Sequence, residues 1–252
     1  MNRIFPPQGS LGDCFVLAGA ANYFSQNSDH LYFPILNRGN QYETVKCLFK
    51  DNPKITVIGF VDPHYSDLNE FIILNQLDMI PVPDILSVDI NGVVTQPIWD
   101  EQHYTLFDIP FKYRYSKFQM PAVDQEAAEL FEKTVTQSRY ILASKKYGSA
   151  NNAVEIDLIT WRNNRGLDPL EEFQIIELTE ELSNNMLYYL KLIEHAEEIH
   201  CVPSSVFCFV DSISSKTNAK LFYHNLRKQT LMRINNPWNQ FRWNIIHYDR
   251  QL

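Results

Sequence analysis

Unbroken apolar runs, rather than strictly alternating ones, mark the strands of this chain. Ile55-Thr-Val-Ile-Gly-Phe-Val61 is continuous and β-branched, and Leu31-Tyr-Phe-Pro-Ile-Leu36 reads the same way. Such runs suit parallel strands covered on both faces. Between them the period changes to that of a helix. Phe15, Leu17, Ala18, Ala21 and Phe24 predict a helix running to Ser28 after the glycine-punctuated turn that follows Ile4-Phe5. Tyr42, Val45 and Leu48 predict a second over residues 41–51, stopped by Asn52-Pro53 because proline removes a donor and restricts its predecessor. The order β-α-β-α-β is half of an α/β Rossmann-like sheet.

The alternation falters and then restarts. Residues 67–77 read as a helix, 80–94 as a proline-punctuated connection with a strand or two, and 98–107 as an aromatic helix. In that helix Trp99, His103, Tyr104 and Phe107 suit a core. Period is lost and proline gained towards Met120-Pro121. This places a domain boundary near residues 112–122 and divides the chain into 1–115 and 116–252. Beyond it, 124–135 reads as a charged amphipathic helix and 139–144, 154–159 and 173–178 as strands. Residues 185–198 read as a helix and 199–202 as a short strand. Pro203-Ser-Ser205 then opens a helix to Ser212, and 220–224 is the last expected strand. The tail to Leu252 is expected to pack back on the first half. The fold class is therefore α/β with two Rossmann-like domains.

Composition narrows the function. The chain has 252 residues, 45% hydrophobic, with a formal net charge of −8. That balance argues against broad nucleic-acid or anionic-membrane binding. No apolar run approaches the roughly 20 residues that span a bilayer, and Pro6 and Pro7 interrupt any signal-peptide core. The four cysteines lack CxxC spacing and the seven histidines are scattered, so free thiols, no metal site and a cytoplasmic location are expected.

Two short stretches carry candidate chemistry. Asp13 follows Leu11 and Gly12 where the first turn becomes a helix. It reads either as an N-cap or as a general base at the mouth of a cleft. Pro203-Ser204-Ser205 combines a proline suited to a first helical turn with two hydroxyls and free backbone N–H groups, an arrangement that suits an anion. Lys145, Lys146 and Arg227 are candidate diphosphate partners, and Asp211 either reaches a ribose or simply faces solvent. His200 and His224 read as packed or hydrogen-bonded histidines.

The first stretch resembles two unrelated families. Gln8-Gly-Ser-Leu-Gly-Asp-Cys-Phe15, with Asn236-Pro-Trp238, is similar to the nucleophile and orienter segments of calpain-type cysteine proteases. That resemblance implies Cys14 as nucleophile and Asn236 as orienter, without the histidine motif. Leu11-Gly-Asp13 resembles the first loop of heptosyltransferase-like glycosyltransferases of the GT-B fold, and this second likeness runs along the chain. Residues 44–58, 98–114, 192–205 with Asp211, and 221–227 resemble successive segments of that family. It implies two domains facing across a cleft and a metal-independent hexosyl or heptosyl transfer with no cofactor. The partners implied are a nucleotide-sugar donor and a glycan or small-molecule acceptor. Asp13 would be the base, Leu11 and Gly12 the acceptor-side loop, and Ser204, Ser205, Lys145, Lys146, Arg227 and Asp211 the donor side. Pro203, and the loop Ser144-Lys-Lys-Tyr-Gly148, depart from the family pattern, so a GT-B-shaped binding protein without transfer activity is the third reading.

Overall fold

The computed structural model describes residues 1–61, 66–81, 88–90, 93–95, 99–147, 154–167, 170–226 and 243–248. They form two compact units, residues 1–122 and residues 123–226 with 243–248. Each is built on its own parallel sheet.

In the first unit β1 (Asn2–Ile4) is followed by helix α1 (Leu11–Gln26), β2 (His30–Leu36), α2 (Gln41–Leu48), β3 (Ile55–Phe60), α3 (Ser66–Leu74) and β4 (Asp78–Met79). The sheet order is β3-β2-β1-β4, every pair parallel. Leu31, Phe33 and Ile35 of β2 are completely buried, as a central strand covered on both faces requires. A small antiparallel ribbon, β5 (Val88–Ile90) with β6 (Val93–Thr95), precedes α4 (Trp99–Leu106) and α5 (Tyr113–Ser116).

Helix α1 is apolar nearly all round, so it is a buried helix rather than a surface one. It packs against α5 so closely that a Cβ on Gly19 would lie 2.1 Å from the Tyr113 carbonyl oxygen. Nothing but glycine fits there without parting two backbones. Gly19→Ala should therefore cost about 1–3 kcal/mol, read as a lower urea midpoint with an unchanged slope. The first unit runs on to Ala122 because Asp51 Oδ2 accepts the Ala122 N–H at 2.7 Å and Lys50 Nζ donates to its carbonyl at 2.6 Å.

The second unit opens with α6 (Asp124–Thr134) and β7 (Tyr140–Ser144). A ribbon of β8 (Lys146–Tyr147) and β9 (Val154–Glu155) leads into α7 (Leu158–Asn163). Then come β10 (Gln174–Glu177), α8 (Leu190–His195), β11 (Glu198–Cys201), α9 (Ser205–Ser212), β12 (Lys220–Asn225) and β13 (Asn244–His247). The parallel sheet has the order β10-β7-β11-β12-β13. Renumbered within the unit this is 2-1-3-4-5, a doubly wound order whose direction reverses between β7 and β11.

Three expectations need correction. The stretch 154–159 is not one strand: Asp157 caps a helix, its Oδ1 accepting the Thr160 N–H at 3.1 Å. The helix expected over 185–198 is a 3₁₀ turn followed by α8, and Glu198 already belongs to β11. Residues 220–224 are not the last strand, since β13 adds to β12. The part of the tail holding Arg227 and Asn236 lies outside the described residues, whereas 243–248 belong to the second unit. Among the described residues no helix is long and apolar enough to cross a membrane.

Candidate functional site

In open α/β sheets, ligands collect outside the carboxyl ends of the strands at the point where the strand order reverses. In the second unit that point is the end of β7 beside the end of β11, and serines stand on both. Ser144 closes β7 and Ser204 caps α9. Their hydroxyl oxygens lie 3.3 Å apart, and the Val202 N–H donates to the Ser144 carbonyl at 3.1 Å. Ser204 Oγ accepts the Phe207 N–H at 3.3 Å and donates to the Val202 carbonyl at 3.0 Å. Ser205 is the first helical residue and half-buried. The arrangement presents a helix N-terminus, with its partial positive charge, beside clustered hydroxyls. Ser144 was not singled out as a site residue in the sequence, because a serine ending an apolar strand looks like any strand end.

The remaining donor-side candidates are less open. Lys145 Nζ lies 3.0 Å from Glu177 and 3.3 Å from Glu155. Burial alone would depress its pKa, but the two carboxylates outweigh it and raise it, so Lys145 is a cation already matched. It lines a cavity of about 380 Å³ whose wall continues through Glu155, Ile156 and Asp157. Lys146 is exposed. Asp211 neither faces solvent nor opens to a ligand: it is 2% exposed and its Oδ1 accepts the Trp243 indole N–H at 2.9 Å.

In the first unit Asp13 is not the N-cap. Helix α1 starts at Leu11, and Ser10 caps it by accepting the Asp13 N–H at 3.3 Å. Asp13 thus stands in the first helical turn, half-buried, with Leu11 and Gly12 buried before it. Burial raises its carboxyl above the usual aspartate range; the hydrogen bonds of Ser10 counter this only in part. A carboxylate raised in this way is a better proton acceptor near neutrality than a solvated one.

Cys14 corrects the protease reading. Its side chain is fully buried, its Sγ donates to the Ser10 carbonyl at 3.3 Å, and burial, followed by the charge of Asp13, pushes the thiol well above its ordinary value. A nucleophilic cysteine needs the opposite. His200 and His224 lie in the second unit and bond to each other, Nδ1 to Nε2, at 2.9 Å.

That histidine pair belongs to a buried chain of groups the sequence did not disclose as a unit. Arg162 Nη1 pairs with Glu198 Oε2, which also accepts from His200 Nε2 at 3.2 Å, and His224 Nδ1 meets the Tyr248 hydroxyl at 2.5 Å. Burial first, then like charge nearby, lowers His224 to about 3, and burial lowers His200 as well. In the unfolded chain both would take protons below about pH 6.5. The unfolded state therefore binds more protons in the window from about 6.5 down to 3, and stability falls as pH falls through it. The expected slope is up to about 1.4 kcal/mol per pH unit from His224, with His200 adding to it in the same direction, and His224→Gln should flatten it in urea titrations taken across that range.

Among the described residues no three His, Cys, Asp or Glu side chains converge as a metal-ligand set. No family model matches the sequence, and no characterised protein matches it by sequence. By structure the chain is similar to a glycosyl transferase family 9 protein from Veillonella parvula, with a TM-score of 0.52 at 8% identity over 98% of this chain and 86% of that one. It also overlaps the iron-containing dodecameric glycosyltransferase TibC from enterotoxigenic E. coli, with a TM-score of 0.47 at 11% identity over 100% of this chain and 63% of that one. The first likeness establishes the fold: two Rossmann-like units of the GT-B class, as the sequence resemblance implies.

Proposed function

We propose that the chain is a glycosyltransferase that uses a nucleotide-sugar donor. The observation that carries this is the serine cluster Ser144, Ser204 and Ser205, set at the N-terminus of α9 at the reversal point of the second sheet. That place is suited to a diphosphate: backbone N–H groups and hydroxyls stabilise the charge that develops as the phosphate leaves. The likeness in fold to a family 9 glycosyl transferase supports the reading.

In this scheme Asp13 takes the proton of an acceptor hydroxyl, of a glycan or a small molecule. The acceptor oxygen forms the new bond to the anomeric carbon, and the bond from that carbon to the phosphate oxygen breaks with its electron pair going to the phosphate. Direct attack of this kind inverts the anomeric centre. Lys145, as placed, serves to fix the end of β7 through Glu177 and Glu155 rather than to meet the donor. Lys146 remains an open cation beside it, and Arg227 is proposed to assist the diphosphate. The matching of Lys145 by two carboxylates favours a second reading, donor binding without transfer.

Thermal unfolding with nucleoside diphosphates and their sugars separates the outcomes. A donor should raise the midpoint in proportion to the logarithm of its concentration, and Ser204→Ala with Ser205→Ala should remove the effect. No stabilisation by any nucleotide would end the donor reading. Stabilisation without product from any acceptor would leave the binding protein.

A further inference from the structure

The buried chain Arg162–Glu198–His200–His224–Tyr248 has a direction. Glu198 is held ionised: burial pushes it up, but the His200 hydrogen bond and the Arg162 charge hold it below the usual carboxylate range. An ionised carboxylate only accepts, so His200 Nε2 carries a proton and His200 Nδ1 accepts. The facing His224 Nε2 must then donate, which leaves His224 Nδ1 to accept the Tyr248 O–H. These protons follow from the network rather than from any freedom of the single groups. Its far end is the half-buried Tyr248, a phenol oxygen whose proton is committed inward, so that towards any further group it can only accept.

That phenol stands on the wall of a cavity of about 450 Å³ at the carboxyl end of β12 and β13. Tyr248, Ile246 and Leu226 form one side; Trp161, Asn164 and Asp157 from α7 and its cap form the other. Arg165 also lines it, with its guanidinium 4.8 Å from the Trp161 ring centre. Asp157 balances Arg165 on the rim and Glu155 is paired with Lys145, so the lining offers no surplus of positive charge to hold an anion. Fixed acceptors, an amide and apolar walls suit a neutral ligand bearing several hydroxyl donors and apolar faces. That is the chemistry of a sugar ring.

We infer that the cavity between α7 and the ends of β12 and β13 is a saccharide-binding site, in which the Tyr248 hydroxyl oxygen, aligned by Glu198 through His200 and His224, accepts a hydrogen bond from a ligand hydroxyl. The site is separate from the serines at the end of β7 and stands whether or not they bind a donor. Burying four polar groups, Arg162, Glu198, His200 and His224, in one chain is costlier than filling the same space with apolar side chains, and an ordered acceptor on a cavity wall is what the chain provides in return.

The test uses the full chain, nitrogen-labelled, with the Trp161 indole N–H resonance assigned through Trp161→Phe. Maltose, lactose and N,N′-diacetylchitobiose are titrated in, with adenosine and uridine as comparators. At least one disaccharide should shift that resonance saturably. Tyr248→Phe, which keeps the ring, should weaken binding about three- to tenfold. Asn164→Trp, at the exposed end of α7, should block the cavity and abolish binding, and it decides alone if Tyr248→Phe does not fold. Ser204→Ala should leave saccharide binding intact. The inference is overturned if no disaccharide shifts the resonance, if the nucleosides shift it and the sugars do not, if Asn164→Trp binds like the parent, or if Ser204→Ala abolishes the effect.

Discussion

Arg162→Ala is expected to lower the stability of the second unit by about 3–5 kcal/mol. Arg162 is 2% exposed and Glu198 5%, so the pair sits in a medium where a lone carboxylate is poorly solvated. Removing the guanidinium leaves Glu198 with His200 as its neutral partner. It also removes the guanidinium from its place 5.1 Å from the Phe173 ring centre. The mutant carboxyl should then hold its proton to higher pH, and the fixed order of donors through His200 and His224 is lost with it. Replacing both members, as Arg162→Met with Glu198→Met, should be less harmful than Arg162→Ala alone, because no charge is left buried. Urea unfolding followed by tryptophan fluorescence measures both. A loss below about 1 kcal/mol for the single change would show that water reaches the pair and screens it.

The same residues show what a linear reading can find. Strand β2 was legible because an unbroken apolar run has one common explanation, burial on both faces; the same run found β3 but not its surroundings, since β3 is the edge strand, with Thr56 and Gly59 exposed and Val57 and Ile58 half-buried. Helix α6 was legible through its charged amphipathic period. Strand β13 was missed because four residues, Asn244-Ile-Ile-His247, carry too little pattern; its partner β12 defines it. Helix α7 was missed because its cap, Asp157, falls in the middle of an alternating apolar stretch. The serine end of α9 was visible, since Pro203-Ser-Ser205 is a local signal. The buried polar chain was not, because its members come from α7, β11, β12 and the residue after β13 and meet only through the sheet register that pairs His200 with Phe222. A hint existed: Glu198 and His200 occupy alternate positions of one completely buried strand, and polar residues that share a buried face need partners from elsewhere.

The most demanding test of the proposed reaction is Asp13→Asn. The amide keeps the size of the side chain, and the cap of α1 is untouched because Ser10 supplies it. Folding should therefore survive, with an unfolding midpoint close to that of the parent. What disappears is the only change the substitution is designed to make, the capacity to take a proton. If Asp13 is the base, turnover should fall by roughly 10²–10⁴ while the donor's affinity stays within a factor of about two, since the proposed scheme assigns the donor's charge to the serines of the second unit. The pH profile of the parent adds a second handle. Because burial raises the Asp13 carboxyl, the acidic limb of kcat should lie above the ordinary aspartate range, and this limb should vanish in Asp13→Asn. Ser204→Ala with Ser205→Ala should behave conversely, weakening the donor first. Equal damage to donor affinity by both variants, with turnover of bound substrate unchanged, would remove Asp13 from the chemistry and leave it a residue of the first turn of α1.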